Sequence, residues 1–566
     1  MNPFSLKSNL SLLKRTFIII FLLITLVLIG LTVYFGVIAI WPTTYQSFSP
    51  ITVQCFIIIL TVLVCAGYYK FVTQTVLTFT SFFFRKKRIN KMIKISEETN
   101  FPDQLPKVAF ISPCCDDFCP VALSQTIQQT YPNIDYYILD DSKKPEHQHE
   151  VDEFAKTHNC IVVRRGDWGK KNVADNVNHF LSHQEYKWDY IVRADADVVL
   201  NKNWVEKSLK YFYAKNFKNV GVVASQTGLI RSENSLFGHF LALSDAPSYY
   251  ELGATNYFDC MIPPGTLAIY SRQFWQSVDF HIPPLISDDG WIDVLRTKND
   301  FLTIYSPYLM SLSGPMTITA FIKQQSRWKE GGTEIPRHFS KALPAKNLFQ
   351  NIRIIGLLLW WLCETPSTFL GLISPAIFSC LGYAQPTSSL FFIISLISYL
   401  PVWLNYIYSY LFRINFFRLV VFLLFVPFVY GACWFSLIKH YFKIMVFRAS
   451  KYYVTPKTYV YTSKWHCISN HWEQIITSLI LFIVPIILYI YVVPDQMKEN
   501  LLIPILNFDT GIPLFILSFS MIALCQLVTV PLAFLSNVNL HADLTKEVDF
   551  HHISWINPQL LIALNR

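Results

Sequence analysis

A chain of 566 residues that is 52% hydrophobic, 16% aromatic and only 15% charged has room for several domains and is too apolar for an ordinary soluble protein. Its formal net charge of +9 collects beside apolar runs, with Lys7, Lys14 and Arg15 before the first and Arg85-Lys86-Lys87-Arg88 after the second. That is the positive-inside pattern of a membrane protein; it argues against a nucleic-acid partner and puts the intervening soluble part in the cytosol.

In chain order, Thr16–Trp41 is an uncharged run long enough to cross a bilayer core of roughly 30 Å. It is too long for a signal-peptide core and lacks a small-residue cleavage site, so it reads as a retained anchor. A second span is expected at about 51–74, then a basic, polar stem at 84–100. From Lys107 short apolar strands alternate with helical stretches: strand 108–112, helix 121–131, strand 136–141, helix 147–158, strand 160–165, helix 172–185 and strand Tyr190–Val192. This βαβ rhythm predicts an α/β domain with a mostly parallel, Rossmann-like sheet, extending to about residue 345. Cys114-Cys115 and Cys119 lie near Asp116 and Asp117, but no His/Cys set with metal-site spacing accompanies them, and the twelve cysteines include no CxxC pair. Reduced cytosolic thiols are the expected state.

Beyond 345 the chain is apolar again, with stretches at about 365–384, 386–409, 416–440, 473–494 and 510–536. Were all five to cross, the basic loop 448–464, with Arg448, Lys451, Lys457 and Lys464, would be external. We therefore expect 413–446, which contains Pro427 and is flanked by Arg413, Arg418, Lys439, His440 and Lys443, to lie in the interface, and 346–362 likewise. Six spans then remain, two in an N-terminal membrane domain (1–83) and four in a C-terminal one (346–566), with both termini inside a plasma membrane.

Five short segments carry candidate chemistry. Asp195 and Asp197, at the end of the strand in YIVRADADVVL, can bind a divalent cation that bridges to a diphosphate, or can be solvated loop acids. Asp140-Asp141-Ser142 ends the second strand, where a carboxylate can accept hydrogen bonds from a base or ribose, or simply cap a loop. Ser287-Asp288-Asp289 opens a helix, either as a cap or as the source of a general base. Gln324-Gln325-Ser326-Arg327-Trp328 reads as a helix start; Arg327 suits a phosphate and Trp328 a sugar face, or the pair is an interfacial anchor. Tyr452-Tyr453-Val454-Thr455-Pro456-Lys457 is a loop that can close over a diphosphate, or a set of snorkelling side chains.

The order D-D-S, D-A-D, S-D-D, Q-Q-S-R-W, Y-Y-V-T-P-K resembles the processive, membrane-embedded family-2 glycosyltransferases, and most of all the cellulose synthase group, over about residues 105–460. The resemblance implies a glycosyltransferase-A-like cytosolic domain joined to a multi-span helical membrane domain. It implies a processive, inverting synthase that polymerises a UDP-sugar, UDP-glucose for choice, into a β-linked polysaccharide and moves it across the membrane. Carried over residue by residue, it assigns Asp140, Asp141 and Lys171 (with Asn176 closing that segment) to the donor nucleotide, and Asp195 and Asp197 to the diphosphate and its Mg²⁺ or Mn²⁺. Gly265 and Thr266 fall near the acceptor sugar, Asp289 is the base, and Gln324, Arg327 and Trp328 bind the diphosphate and the growing polysaccharide end. Thr455 and Lys457 close the gating loop. Three departures stand out. Ser287-Asp288 replaces Thr-Glu, which makes Asp288 a rival base; Asn172-Val173 replaces Ala-Gly; Tyr452 replaces phenylalanine. The tail after 536 is too short for an appended cyclic-dinucleotide regulatory domain.

In physical terms, an acceptor hydroxyl attacks the anomeric carbon as Asp289 takes its proton, while the cation and Arg327 absorb charge on departing UDP. One displacement inverts the centre. Aromatics such as Phe391, Phe392, Tyr399, Trp403, Tyr489 and Tyr491 can line a channel for the product or face lipid. The rival functions are a non-processive transferase acting on a lipid-linked acceptor and a transporter or receptor with a cytosolic α/β domain. The oligomeric state does not follow from the sequence.

Overall fold

The computed structural model describes residues 89–166, 172–183, 187–231, 237–238, 241, 265–346, 348–380, 407, 416–447, 463–493, 502–503, 508–509 and 514–537. The expected spans 16–41 and 51–74, Lys171, nearly all of 386–409, and the loop with Thr455 and Lys457 lie outside the described residues. The described residues divide into two compact units. One holds those up to Leu362, Ser436–Asn470 and those from Val530; the other holds Cys363–Phe435 and His471–Thr529.

In the first unit, eight strands form one sheet in the order β3-β2-β1-β4-β7-β6-β8-β5. They are β1 (Val108–Cys114), β2 (Ile134–Asp140), β3 (Ile161–Val163), β4 (Tyr190–Arg193), β5 (Val199–Leu200), β6 (Val220–Arg231), β7 (Ala268–Ser271) and β8 (Leu302–Ser313). Parallel pairing joins β3, β2, β1 and β4, as the alternating rhythm predicts, and also β6 to β8. β7 runs antiparallel to both β4 and β6, and β5 antiparallel to β8, so the sheet is mixed.

Successive side chains of β1 point to opposite faces, and both faces are covered, which is why these strands read as unbroken apolar runs. Ala109 and Ile111 join Tyr137, Leu139 and Ile191 beneath helix α3, which supplies Val177 and Phe180. Val108 and Phe110 join Ile138 and Val192 against Phe154 of α2 and Trp204 of α4. The helices of this unit include α1 (Pro120–Thr126), α2 (Pro145–His158), α3 (Val173–Ser182), α4 (Trp204–Leu209), α5 (Arg272–Ser277), α6 (Asp288–Lys298) and α7 (Ile318–Glu334). The expected polar stem is partly helical over residues 89–98, and its Met92, Ile93 and Ile95 are buried in the same cores.

Helix Trp434–Phe447 packs on α7 within this unit. It buries Ser436, Ile438, Tyr441 and Ile444, and leaves Phe442, Met445, Val446 and Phe447 exposed. The Ser326 and Ser436 hydroxyls are 2.8 Å apart. Buried Glu330 accepts from both His440 Nδ1 (2.5 Å) and Lys443 Nζ (2.7 Å).

Among the described residues, three helices are by length and composition apolar enough to cross a membrane: Leu419–Phe447, Trp472–Tyr491 and Phe519–Ser536. The last two coincide with expected spans. The first is the stretch expected to lie flat; Pro427 sits inside helix Phe416–Ala432 instead of interrupting it, as apolar helices tolerate. In the second unit, Ser478 Oγ donates to the Ala523 carbonyl (2.8 Å) and Gln526 Nε2 to that of Gly431 (2.5 Å), polar bonds between apolar helices. One helix, Leu348–Cys380, covers both the expected interfacial segment 346–362 and most of the expected span 365–384.

Burial alone would raise the Glu330 carboxyl, but the bonds from His440 and Lys443 outweigh it and hold Glu330 below the usual range. A depressed carboxylate stabilises the fold above its unfolded pKa, and the effect fades as pH falls through the folded one. Glu330→Gln should therefore cost about 2 kcal/mol at neutral pH. Thermal unfolding in detergent should show the variant and the wild type converging toward acid pH.

Candidate active site

The site begins where β4 leaves the sheet. Ala194 N–H donates to the Ile111 carbonyl of β1 (3.1 Å), and Val198 N–H closes a turn onto the Asp195 carbonyl (3.0 Å). Asp195 is half-buried and Asp197 buried, both at the carboxyl end of this strand, where α/β sheets bind ligands.

β7 runs back along β4 with Ala268 opposite Arg193. The residues that lead into β7 therefore arrive just where β4 departs. Leu267 N–H donates to the Arg193 carbonyl (2.7 Å), and Asp195 N–H donates to Thr266 Oγ1 (2.8 Å). Buried Leu267 has φ 74°, a costly conformation for leucine and one that concentrates at functional corners. At Gly265 a Cβ would stand 3.2 Å from Asp289 Oδ2 and 3.4 Å from that residue's Cβ and Cγ. Gly265 thus lies directly against the carboxylate of the third acidic segment.

That segment opens α6. Asp289 Oδ1 accepts from Ser287 Oγ (2.7 Å) and from Gly290 N–H (2.8 Å), while Oδ2 faces Gly265. Burial first, and the neighbouring Asp288 charge second, raise the Asp289 carboxyl above the usual carboxylate value against the lowering effect of its two hydrogen bonds. Asp288, the rival base, is engaged otherwise: Arg193 Nη1 donates to its Oδ2 at 2.5 Å, and both residues are buried. The buried guanidinium thus engages Asp288, while the Asp289 carboxylate is held by Ser287 and Gly290.

α7 is capped by Thr317, whose Oγ1 accepts from Ala320 N–H (3.1 Å). The Q-Q-S-R-W segment lies in mid-helix, not at a helix start. The helix touches α6 through Gly331, where a Cβ would sit 2.6 Å from Ser287 Cβ and 2.8 Å from its backbone N. Glu334 Oε2 accepts Ile286 N–H beside it (3.2 Å). Positions 324, 327, 328 and 331 share a helix face, so Gln324, Arg327 and Trp328 stand one and two turns from the S-D-D contact. Trp328 is 55% exposed.

The D-D-S segment lies at the end of β2, two strands from β4 across β1, roughly 10 Å away at the usual strand spacing. Asp140 accepts from Arg164 Nε (2.7 Å) on one oxygen and from Ser142 N–H (2.9 Å) on the other. Asp141 is held in a fork by Arg165, with Nε at 2.9 Å and Nη2 at 2.5 Å. Motif reading misses these arginines and Arg193; the only hint is an Arg-Arg pair at the end of an apolar strand. Asn176 Nδ2 donates to the Leu139 carbonyl (2.8 Å), and Asn172 caps α3 while donating to the Pro284 carbonyl (2.9 Å). α3 is thereby tied both to β2 and to the loop before S-D-D.

Among the described residues no group of three or more His, Cys, Asp or Glu side chains could hold a metal ion. The nearby thiols are not ligands in waiting. Burial raises Cys114 well above its usual value, and Cys115, whose Sγ donates to the Asp141 carbonyl (3.4 Å), is pushed up to about 11 by burial and then by Asp116.

Residues 117–278 match the family model Glycosyl transferase family 2, so this chain carries a glycosyltransferase domain, with the mostly parallel mixed sheet of a glycosyltransferase-A-like fold. The matched stretch includes D-D-S, D-A-D and Gly265-Thr266, and stops short of S-D-D and Q-Q-S-R-W. Poly-β-1,6-N-acetyl-D-glucosamine synthase of Staphylococcus epidermidis is 22% identical over 284 residues, 47% of this chain and 64% of that protein. The synthase of the same name from Staphylococcus aureus (strain COL) is 21% identical over 251 residues, 41% of this chain and 56% of that one. The chain thus spans less than two thirds of the length of these relatives. A mannosyltransferase of Pyrobaculum calidifontis, solved in complex with GDP-Man and Mn²⁺, superposes with a TM-score of 0.34 at 14% identity, covering 59% of this chain and 98% of its own.

Gly331→Ala should force α7 and the start of α6 apart and destabilise the protein by about 1–3 kcal/mol, despite alanine's better helix propensity. The readout is the midpoint of thermal unfolding.

Proposed function

We propose that this glycosyltransferase domain is the catalytic half of a membrane polysaccharide synthase that uses UDP-N-acetylglucosamine and inverts the anomeric centre to extend a β-linked polymer. One observation carries the reading: the Asp289 carboxylate meets Gly265 in the same corner where Thr266 holds the start of D-A-D. That corner puts a proton acceptor and a pair of hard oxygen donors side by side, as attack on a sugar diphosphate requires. N-acetylglucosamine is preferred over glucose because the relatives at 21–22% identity are named for that sugar. The V-T-P-K loop behind the glucose expectation lies outside the described residues.

Asp195 and Asp197 offer only carboxylate oxygens, which suits Mg²⁺ or Mn²⁺ held jointly with the phosphates of the donor. The bound cation would neutralise charge on the departing diphosphate. Asp289 receives the acceptor proton at Oδ2, the oxygen that faces position 265, where there is no side chain. Its raised affinity for protons brings it closer to the strength a general base needs. Asp140 and Asp141, held by Arg164 and Arg165, form the wall for the uridine. Arg327 reaches the diphosphate, and Gln324 and the exposed indole of Trp328 receive the growing polymer. The helices of membrane-crossing length and composition support a reading in which the acceptor is met at a lipid bilayer.

The test is the purified protein in detergent with UDP-N-acetylglucosamine or UDP-glucose and Mg²⁺ or Mn²⁺, followed by product sizing and linkage analysis. Expected are a polymer from UDP-N-acetylglucosamine and loss of turnover on chelation. A single-sugar lipid product would favour the non-processive rival, and no incorporation from any UDP-sugar would refute the reading. Asp289→Asn should lower kcat by about 10²–10⁴ while UDP binding persists. Because the base must be deprotonated, kcat/KM should fall as pH drops through a pKa above the ordinary carboxylate value.

A further inference from the structure

We propose that Arg193 is a positioning residue for the glycosyl transfer: through Asp288 it locks the base-bearing start of α6 to the strand that carries the metal pair. This rests on the function proposed above.

The contacts close a ring. Arg193 ends β4, and its carbonyl takes the Leu267 N–H. Two residues on, Asp195 N–H is held by Thr266. Gly265, next in that turn, lies against Asp289. Asp288 precedes Asp289 and returns the ring to Arg193 through a 2.5 Å ion pair that spans 95 residues of sequence. Every other link in the ring is a single neutral hydrogen bond or a van der Waals contact. The ion pair is the charge-assisted side-chain link between β4 and α6.

As a stability device the pair is poor. Both residues are buried, and Arg193 Nε has no hydrogen-bond partner among the described residues. Taking two charges out of water and leaving a donor unsatisfied gives back little net stability, and apolar side chains of equal volume would serve as well or better. What the pair supplies is direction. A short charge-assisted bond fixes the first turn of α6 relative to the end of β4. The distance from the Asp289 oxygen to the sugar held at D-A-D follows from that. Leu267 at φ 74° is consistent: a strained residue persists where its surroundings over-determine it.

A misplacement of about 1 Å between reacting groups costs about 100-fold in rate. Arg193→Met should therefore lower kcat by about 100-fold while KM for the UDP-sugar and UDP affinity stay within about twofold, since no donor contact is removed. Arg193→Lys, which keeps the charge, should recover part of the loss. Arg193→Met/Asp288→Asn removes the same bond only once, so the double variant should turn over no more slowly than Arg193→Met alone. The unfolding midpoint of each variant separates misfolding from misplacement. The proposal is overturned if folded Arg193→Met keeps its kcat, if it loses donor affinity in step with kcat, or if the double variant shows the additive loss of two independent sites. A folded wild type inactive with every UDP-sugar overturns the function and this proposal together; an active wild type with additive variants overturns this proposal alone.

Discussion

Antiparallel entry of β7 beside β4 is the constraint from which the site follows. In a wholly parallel sheet the residues before a strand lie at the opposite end from the residues after its neighbour. Because β7 runs backward, the turn before it meets the acids after β4, with Arg193 opposite Ala268 setting the register. Residues far apart in sequence thereby share one corner. The parallel group β3-β2-β1-β4 then supplies a second acidic edge at β2, on the same side of the sheet.

Sterics complete what topology begins. Two glycines act here through what they lack. Gly265 lets the backbone approach the Asp289 carboxylate, and Gly331 lets α7 lie on the backbone of Ser287. The helix carrying Arg327 and Trp328 is consequently set against the helix carrying Asp289. Glu330, one residue before Gly331, binds the opposite partner, Trp434–Phe447. α7 is therefore gripped on both sides, by close packing on one and by ionic bonds on the other.

Much of this is legible in the residues. β1, β2, β4 and helices α1–α3 fall within a few positions of their expected places, because buried parallel strands are apolar runs bounded by turn residues. The acidic segments sit where such a sheet would put them. The arginine partners are not legible: Arg164, Arg165 and Arg193 look like ordinary charges until strand order places each beside a carboxylate 24 or 95 positions away. Nor does local sequence reveal the mid-helix position of Q-Q-S-R-W, since its cap, Thr317, lies seven residues before Gln324. Pro427 misleads for a different reason: proline breaks helices in water but is accommodated in apolar ones.

The raised thiols beside D-D-S have a practical corollary. Electrophiles react with thiolates. Burial keeps Cys114 protonated, and Cys115, pushed up to about 11, carries little thiolate at neutral pH, as does Cys160 at the opposite end of the β2–β3 pairing, also pushed up to about 11. This edge of the sheet is chemically quiet toward alkylating reagents, and a cysteine introduced at an exposed position such as Trp328 would react ahead of these three native thiols.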